Sequence, residues 1–131
     1  MEVNEEIAPA GIAPPAANYA HAMLTECKGT WLHSSGVVPI RPDRSVPESV
    51  EEQAEVVWAN ITAILEEAQM VPADIVSVTT YVVVDFLPSL PWVMQARDRA
   101  LHGRRVASTL VTVPALANPS WKLEIAVIAA R

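Results

Sequence analysis

Apolar residues recur along this chain at two periods, and the switches between them set out the elements. Ala20 to Cys27 and Thr30 to Ser34 flank Lys28-Gly29 and predict a β-hairpin, after which Pro39, Pro42 and Asp43 predict a loop. From Ser49 the period lengthens. Val50, Ala54, Val57, Ile61, Leu65 and Ala68 follow one another at helical spacing, while Glu51, Glu52, Glu55, Glu66 and Glu67 fall largely elsewhere. Ser49 and Glu52 have the form of a capping box, in which each side chain satisfies a backbone amide left unpaired at a helix start. Ile75 to Val84 is dense in β-branched residues and predicts a strand buried on both faces or close to it. A second helix is expected from about Leu87 or Ser89 to Leu101, because Leu90, Met94, Arg97 and Leu101 share a face; Pro91 fits its first turn and Gly103 its end. Val106 to Val113 predicts another strand. After a turn around Ala117-Asn118-Pro119, Trp121 to Ala129 predicts the last, with Trp121, Leu123, Ile125 and Val127 pointing one way and Lys122, Glu124, Ala126 and Ile128 the other.

The order β-β-α-β-α-β-β describes an α+β subunit with two helices on one face of a sheet, and the other face needs cover. A chain of 131 residues forms a single domain and has nothing left to supply that cover. Association of subunits through their sheets is the simplest answer. Composition agrees: 51% of residues are hydrophobic, only 18% are charged and the mean hydropathy is +0.25. Residues 1–18, with Pro9, Pro14 and Pro15 among alanines and acids, are expected to form an extended arm without a regular element.

Charge narrows the function. A net charge of -6 and a pI near 4.9 give no basic field for phosphates, which disfavours nucleic acid as a partner. MEVNEEIAPAG is acidic where a secretory signal would be basic, and no apolar run reaches the roughly 18 residues that span a bilayer, so a soluble, cytoplasmic protein is expected. Cys27 is the single cysteine. In the predicted hairpin it lies opposite Thr30, while His33 lies opposite Leu24, so a thiol-imidazole pair fails on geometry. His21, His33 and His102 have no metal-ligand spacing, and no metal is expected. Glu124 is an acid amid apolar neighbours on a sheet face, where it must be paired, hydrated or protonated. A salt bridge with Lys122 or with an arginine of a neighbouring subunit would satisfy it without any catalytic role.

Several segments, in order, resemble the RidA/YjgF family of reactive-intermediate deaminases over Ile7 to Arg131. They are Asn18-Tyr19-Ala20-His21-Ala22, Ser34-Ser35-Gly36-Val37-Val38-Pro39, Glu52-Gln53, Val78-Thr79-Thr80 and Lys122-Leu123-Glu124-Ile125-Ala126. The resemblance implies a chorismate-mutase-like subunit with a mixed sheet, assembled as a barrel-shaped homotrimer with small-metabolite clefts between subunits. It implies hydrolysis of enamines and imines to 2-keto acids and ammonia, without metal or organic cofactor. Carried over by position, it gives Glu124 the role of acid/base or water positioning. Tyr19 and the Ser35-Gly36 turn would help place the substrate.

One element of the family pattern is missing. Active members carry an arginine that holds the substrate carboxylate, and here that place falls to Ala107 or, one residue on, to Ser108. Efficient deamination of 2-imino acids is therefore not expected. Arg105 is a candidate rescuer, because it faces the same side as Ala107 at about 7 Å and is long enough to reach back; otherwise Arg104-Arg105 is a solvated basic turn. Three functions remain open: a metabolite-binding protein with weak or no deaminase activity, a hydrolase acting on an imine or enamine without a clamped carboxylate, and a non-catalytic regulatory or interaction module. Ribonuclease activity, credited to some relatives, is disfavoured by the acidic charge.

Overall fold

Helix α1 (Val50–Glu67) organises the molecule, whose computed structural model describes residues 4–26 and 29–131. Val50, Ala54, Val57, Ile61 and Leu65 are all buried, as their spacing predicts, and Gln53 and Trp58 join them. The Ser49 hydroxyl accepts from the Glu52 backbone amide at 3.1 Å. The reciprocal half of the capping box does not form. Glu52 pairs instead with Arg41 at 3.1 Å, in an exposed ion pair.

The strands are β1 (Asn4–Ile7), β2 (Ala22–Thr25), β3 (Trp31–His33), β4 (Ile75–Val83), β5 (Ala107–Val113) and β6 (Leu123–Ala130); α2 (Leu90–Ala100) lies between β4 and β5. The main sheet runs β3-β6-β4-β5. β4 and β5 are parallel and joined through α2, whereas β6 is antiparallel to both β3 and β4, so the sheet is mixed. The two helices pack on each other and over one face. Val78, Thr80 and Val82 of β4 and Leu123, Ile125 and Val127 of β6 point into that core and are buried. The other face carries Ser77, Thr79 and Tyr81 opposite Ile128, Ala126 and Glu124, all half-buried. Within the chain no residue of β4 is exposed, since Ser77, Thr79 and Tyr81 are half-buried and the other six buried, close to the burial on both faces that its composition predicts.

The N-terminal third departs from expectation in two ways. The arm is not without regular structure: β1 pairs antiparallel with β2, from Asn4 opposite Thr25 to Ile7 opposite Ala22. Nor do the two predicted hairpin strands pair with each other. β3 adds to the edge of β6, where Thr30 and Arg131 exchange both backbone hydrogen bonds at 2.9 and 3.0 Å. The reason is burial: beside β6, Leu32 packs on the core, which a two-stranded ribbon cannot offer. Asn4 ties the two sheets together, donating to the Ala130 carbonyl at 3.2 Å and accepting from the Thr25 hydroxyl at 2.9 Å. The Cys27-Lys28 turn and any thiol geometry lie outside the described residues.

The α2 region follows the sequence more closely. A short 3-10 segment, Val84–Ser89, precedes the helix and takes Val84 out of the strand. Pro91 falls in the first turn, and Gly103, at φ +75°, closes the far end. Among the described residues, no helix is long and apolar enough to cross a membrane.

Candidate functional site

Residues 34–37 extend the sheet past β3 and run along β6. Ser34 donates its amide to the Val127 carbonyl at 3.0 Å, and its hydroxyl accepts from the Val127 amide at 2.8 Å. Val37 and Ile125 then exchange backbone bonds at 2.7 and 3.1 Å. Between these two fixed points, Gly36 passes directly over Glu124. A β-carbon at position 36 would collide with the Glu124 carboxylate, so only glycine permits this approach. Glu124 and the Ser35-Gly36 turn, chosen from sequence as parts of one site, are therefore neighbours.

The Glu124 carboxylate has no hydrogen bond or ion pair among the described residues. Its expected structural partner is occupied elsewhere: the Lys122 ammonium bonds to the Glu48 carbonyl and lies 4.9 Å from the centre of the Phe86 ring. Tyr81 stands directly opposite Glu124 on β4. The result is a half-buried carboxylate with free lone pairs, lying against Gly36 on a residue paired across the strands with Tyr81.

On β5 the two-residue period divides the other candidates. Ala107 is opposite Ser77 and shares the open face with Glu124, whereas Ser108 is opposite Val78 and faces the helices. Ala107 and Glu124 are four residues apart along the sheet and separated by β4, so their backbones stand roughly 16 Å apart within one chain. Tyr19 lies at the helix-side edge. Ala20 bridges to Ala107 as a further parallel partner, its amide donating to the Val106 carbonyl at 2.8 Å. The Tyr19 hydroxyl accepts from the Ala16 amide at 3.2 Å.

The two arginines before β5 do not form a solvated turn. Arg104 donates to the carbonyls of Pro72 and Ile75 and fastens the α2–β5 connection to the start of β4. Arg105 grips the Tyr19 carbonyl through Nε at 3.1 Å and Nη2 at 2.8 Å, and Nε lies 3.6 Å from the Glu6 carboxylate. It holds the N-terminal segment and does not reach back to the face of Ala107.

A different arginine occupies a cleft. Arg97 of α2 is only 5% exposed. Its guanidinium donates to the Ser108 hydroxyl at 3.3 Å, to the Asn18 carbonyl at 3.2 Å, and through Nε and Nη2 to Asp98 at 3.1 and 3.0 Å. Together with Tyr19, Leu90, Met94 and Leu110 it lines a cleft of about 320 Å³. The sequence carries the signal, since Arg97 is the charged member of the apolar stripe of α2.

This architecture and this arrangement around β5 and β6 define a class. A family model described as Endoribonuclease L-PSP matches residues 11–131, and the chain belongs to that family, RidA/YjgF. Among solved structures, YyfB of the conserved Rid family from Yersinia pestis superposes with a TM-score of 0.88 at 26% identity, covering 99% of this chain and all of that one. YyfA from the same organism gives 0.70 at 27% identity, covering 98% and 99%. Escherichia coli TdcF, with bound serine, gives 0.69 at 25% identity, covering 95% and 93%. Nothing among curated proteins matches significantly.

Proposed function

We propose that this chain is a cytoplasmic homotrimer that binds a small metabolite in clefts between subunits, with little or no activity on 2-imino acids. The observation that carries this reading is the engagement of Arg105 by the Tyr19 carbonyl and Glu6, which keeps its guanidinium from the open face of Ala107. A charge-assisted hydrogen bond contributes about 1.5–3 kcal/mol, so its loss weakens carboxylate binding by about ten- to a hundredfold and leaves the bound molecule poorly oriented. Trimer assembly is supported by the half-exposed sheet face, where Glu124 stands among Ser77, Thr79, Ala126 and Ile128. The separation of Ala107 from Glu124 supports clefts completed by a neighbouring subunit. The serine bound to TdcF supports a small metabolite as ligand, and the net charge of -6 argues against RNA.

The test is keto-acid formation from freshly generated 2-aminoacrylate or 2-iminobutanoate, above spontaneous hydrolysis. Wild type is expected to give no acceleration, with some gained in Ala107→Arg. Strong wild-type acceleration that vanishes in Arg105→Ala would overturn the reading.

A second reading, hydrolysis of an imine or enamine that has no carboxylate to clamp, is favoured by the unpaired Glu124 carboxylate beside Gly36. An unpaired carboxylate at an open face can take a proton from water or return one to carbon. Under this reading Glu124→Gln abolishes turnover and leaves assembly intact; unchanged turnover removes Glu124 from the mechanism.

A further inference from the structure

We propose that the cleft on the helix side of β5 is a second small-molecule site, which binds a monocarboxylate bearing a short apolar chain. It lies across the strand from Ala107 and goes beyond the open-face reading above.

Arg97 has five N–H donors. Nε and one Nη2 hydrogen go to Asp98, the other Nη2 hydrogen to the Asn18 carbonyl, and one Nη1 hydrogen to Ser108 Oγ. The last Nη1 hydrogen has no partner among the described residues. Ser108 Oγ accepts from Arg97 and keeps its own proton free, and the Tyr19 hydroxyl, which accepts from Ala16, keeps its proton as well. Adjacent donors on Nη1 and Ser108 suit the two oxygens of one carboxylate.

Charge and shape narrow the ligand. Asp98 already neutralises Arg97, so a dianion such as phosphate meets a carboxylate it cannot displace, whereas a single negative charge shared between two donors does not overload the site. The remaining walls are Ala17, Leu90, Met94 and Leu110, which exclude further polar groups and accept a short hydrocarbon chain. The size of the cleft, about 320 Å³, is that of a small-metabolite pocket. Arg97 is also held rigidly from two sides, so little side-chain freedom is lost on binding.

The experiment is a titration of the full-length protein, followed by backbone amide NMR, with 3-methylbutanoate, the neutral 3-methylbutanamide and inorganic phosphate. The carboxylate is expected to saturate, with the largest shifts at Ser108, Leu110 and Met94, and to bind at least about tenfold more tightly than the amide or phosphate. Ser108→Ala, which leaves Arg97 in place, weakens it severalfold, and Arg97→Lys, which keeps the charge and loses the fork, about tenfold. The Ser108 variant covers the case in which Arg97→Lys loosens the N-terminal segment. Equal affinity for acid and amide, or no saturation at tens of millimolar, overturns the proposal. So does a response to Glu124→Gln but not to Ser108→Ala, which would put the ligand on the open face and leave the proposed function standing.

Discussion

Gln53 gives the sharpest test of how α1 positions β6. Its side chain is 0% exposed. Nε2 donates to the Pro47 carbonyl at 2.8 Å and the Ser120 carbonyl at 2.9 Å, while Oε1 accepts from the Lys122 amide at 2.8 Å. One side chain thus satisfies the loop before α1 and the loop before β6, two residues upstream of Glu124. Gln53→Ala removes three hydrogen bonds of about 1 kcal/mol each and one buried methylene of about 0.8 kcal/mol. The expected loss is about 4 kcal/mol. At about 3–5 °C per kcal/mol for a domain of this size, the Tm falls by about 10–20 °C. Urea denaturation and thermal melting at fixed protein concentration measure both quantities. Glu52→Ala, next in sequence but exposed, costs below about 1 kcal/mol and serves as the control. A loss below about 1 kcal/mol in Gln53→Ala would refute the reasoning, because it would mean that the three backbone groups find other partners at no cost.

Other expectations follow from single contacts. Gly36→Ala displaces the Glu124 carboxylate and abolishes any Glu124-dependent turnover, yet costs below about 2 kcal/mol of stability, because the carboxylate is the mobile end of its side chain; retained turnover would show that the contact has no functional weight. Arg105→Ala releases the Tyr19 carbonyl and Glu6, and amide exchange of residues 4–21 is expected to rise about tenfold while exchange in β4 and β6 stays unchanged. Uniform acceleration throughout the chain would contradict a local role. The Asp43 carboxylate accepts from the Ser45 hydroxyl at 2.6 Å and the Ser45 amide at 3.0 Å, which hold its pKa below the ordinary 3.8. A depressed folded-state value stabilises above the unfolded value and is lost as pH falls through the folded one. The stability gap between wild type and Asp43→Ala is thus constant at neutral pH and narrows only below pH 3.8; a gap that widens on acidification would refute it.

What was legible in the sequence is what repeats. The α1 stripe, the alternation of β6 and the Pro91 and Gly103 boundaries of α2 are local patterns, and each forms as read. What was hidden depends on competition between distant partners. β3 prefers the edge of β6 to β2, because burial against the core outweighs the short turn that would have joined the hairpin. β1 is only four residues long, among acids and prolines, and gains its meaning from β2 and Ala130. In the candidate site, the nearness of Gly36 to Glu124 follows from the pairing of Ser34 and Val37 with β6, partners far apart in the sequence. The partners of Arg97, Arg104 and Arg105 do not follow from local sequence, because a long side chain selects among carbonyls brought close only by the fold.

The register of β5 also decides between the two positions that could stand for the missing arginine. Ala20 bridges to Ala107 on one edge of the strand, and seven successive β4 residues pair with it on the other. A one-residue slip would turn Leu110 out of the core and Thr109 and Val111 into it, so the orientation is fixed. An arginine introduced at 107 enters the open face, whereas one at 108 enters the cleft that already holds a guanidinium 3.3 Å from the Ser108 hydroxyl. Two guanidiniums there would share Asp98 as counter-ion, and the second would be desolvated without a partner. Ala107→Arg is therefore expected to fold with a stability loss below about 1 kcal/mol, and Ser108→Arg to lose about 3 kcal/mol or more. Equal stability of the two variants in urea denaturation would mean that the strand's two faces are not distinct, and the assignment of Ala107 to the face of Glu124 would fall with it.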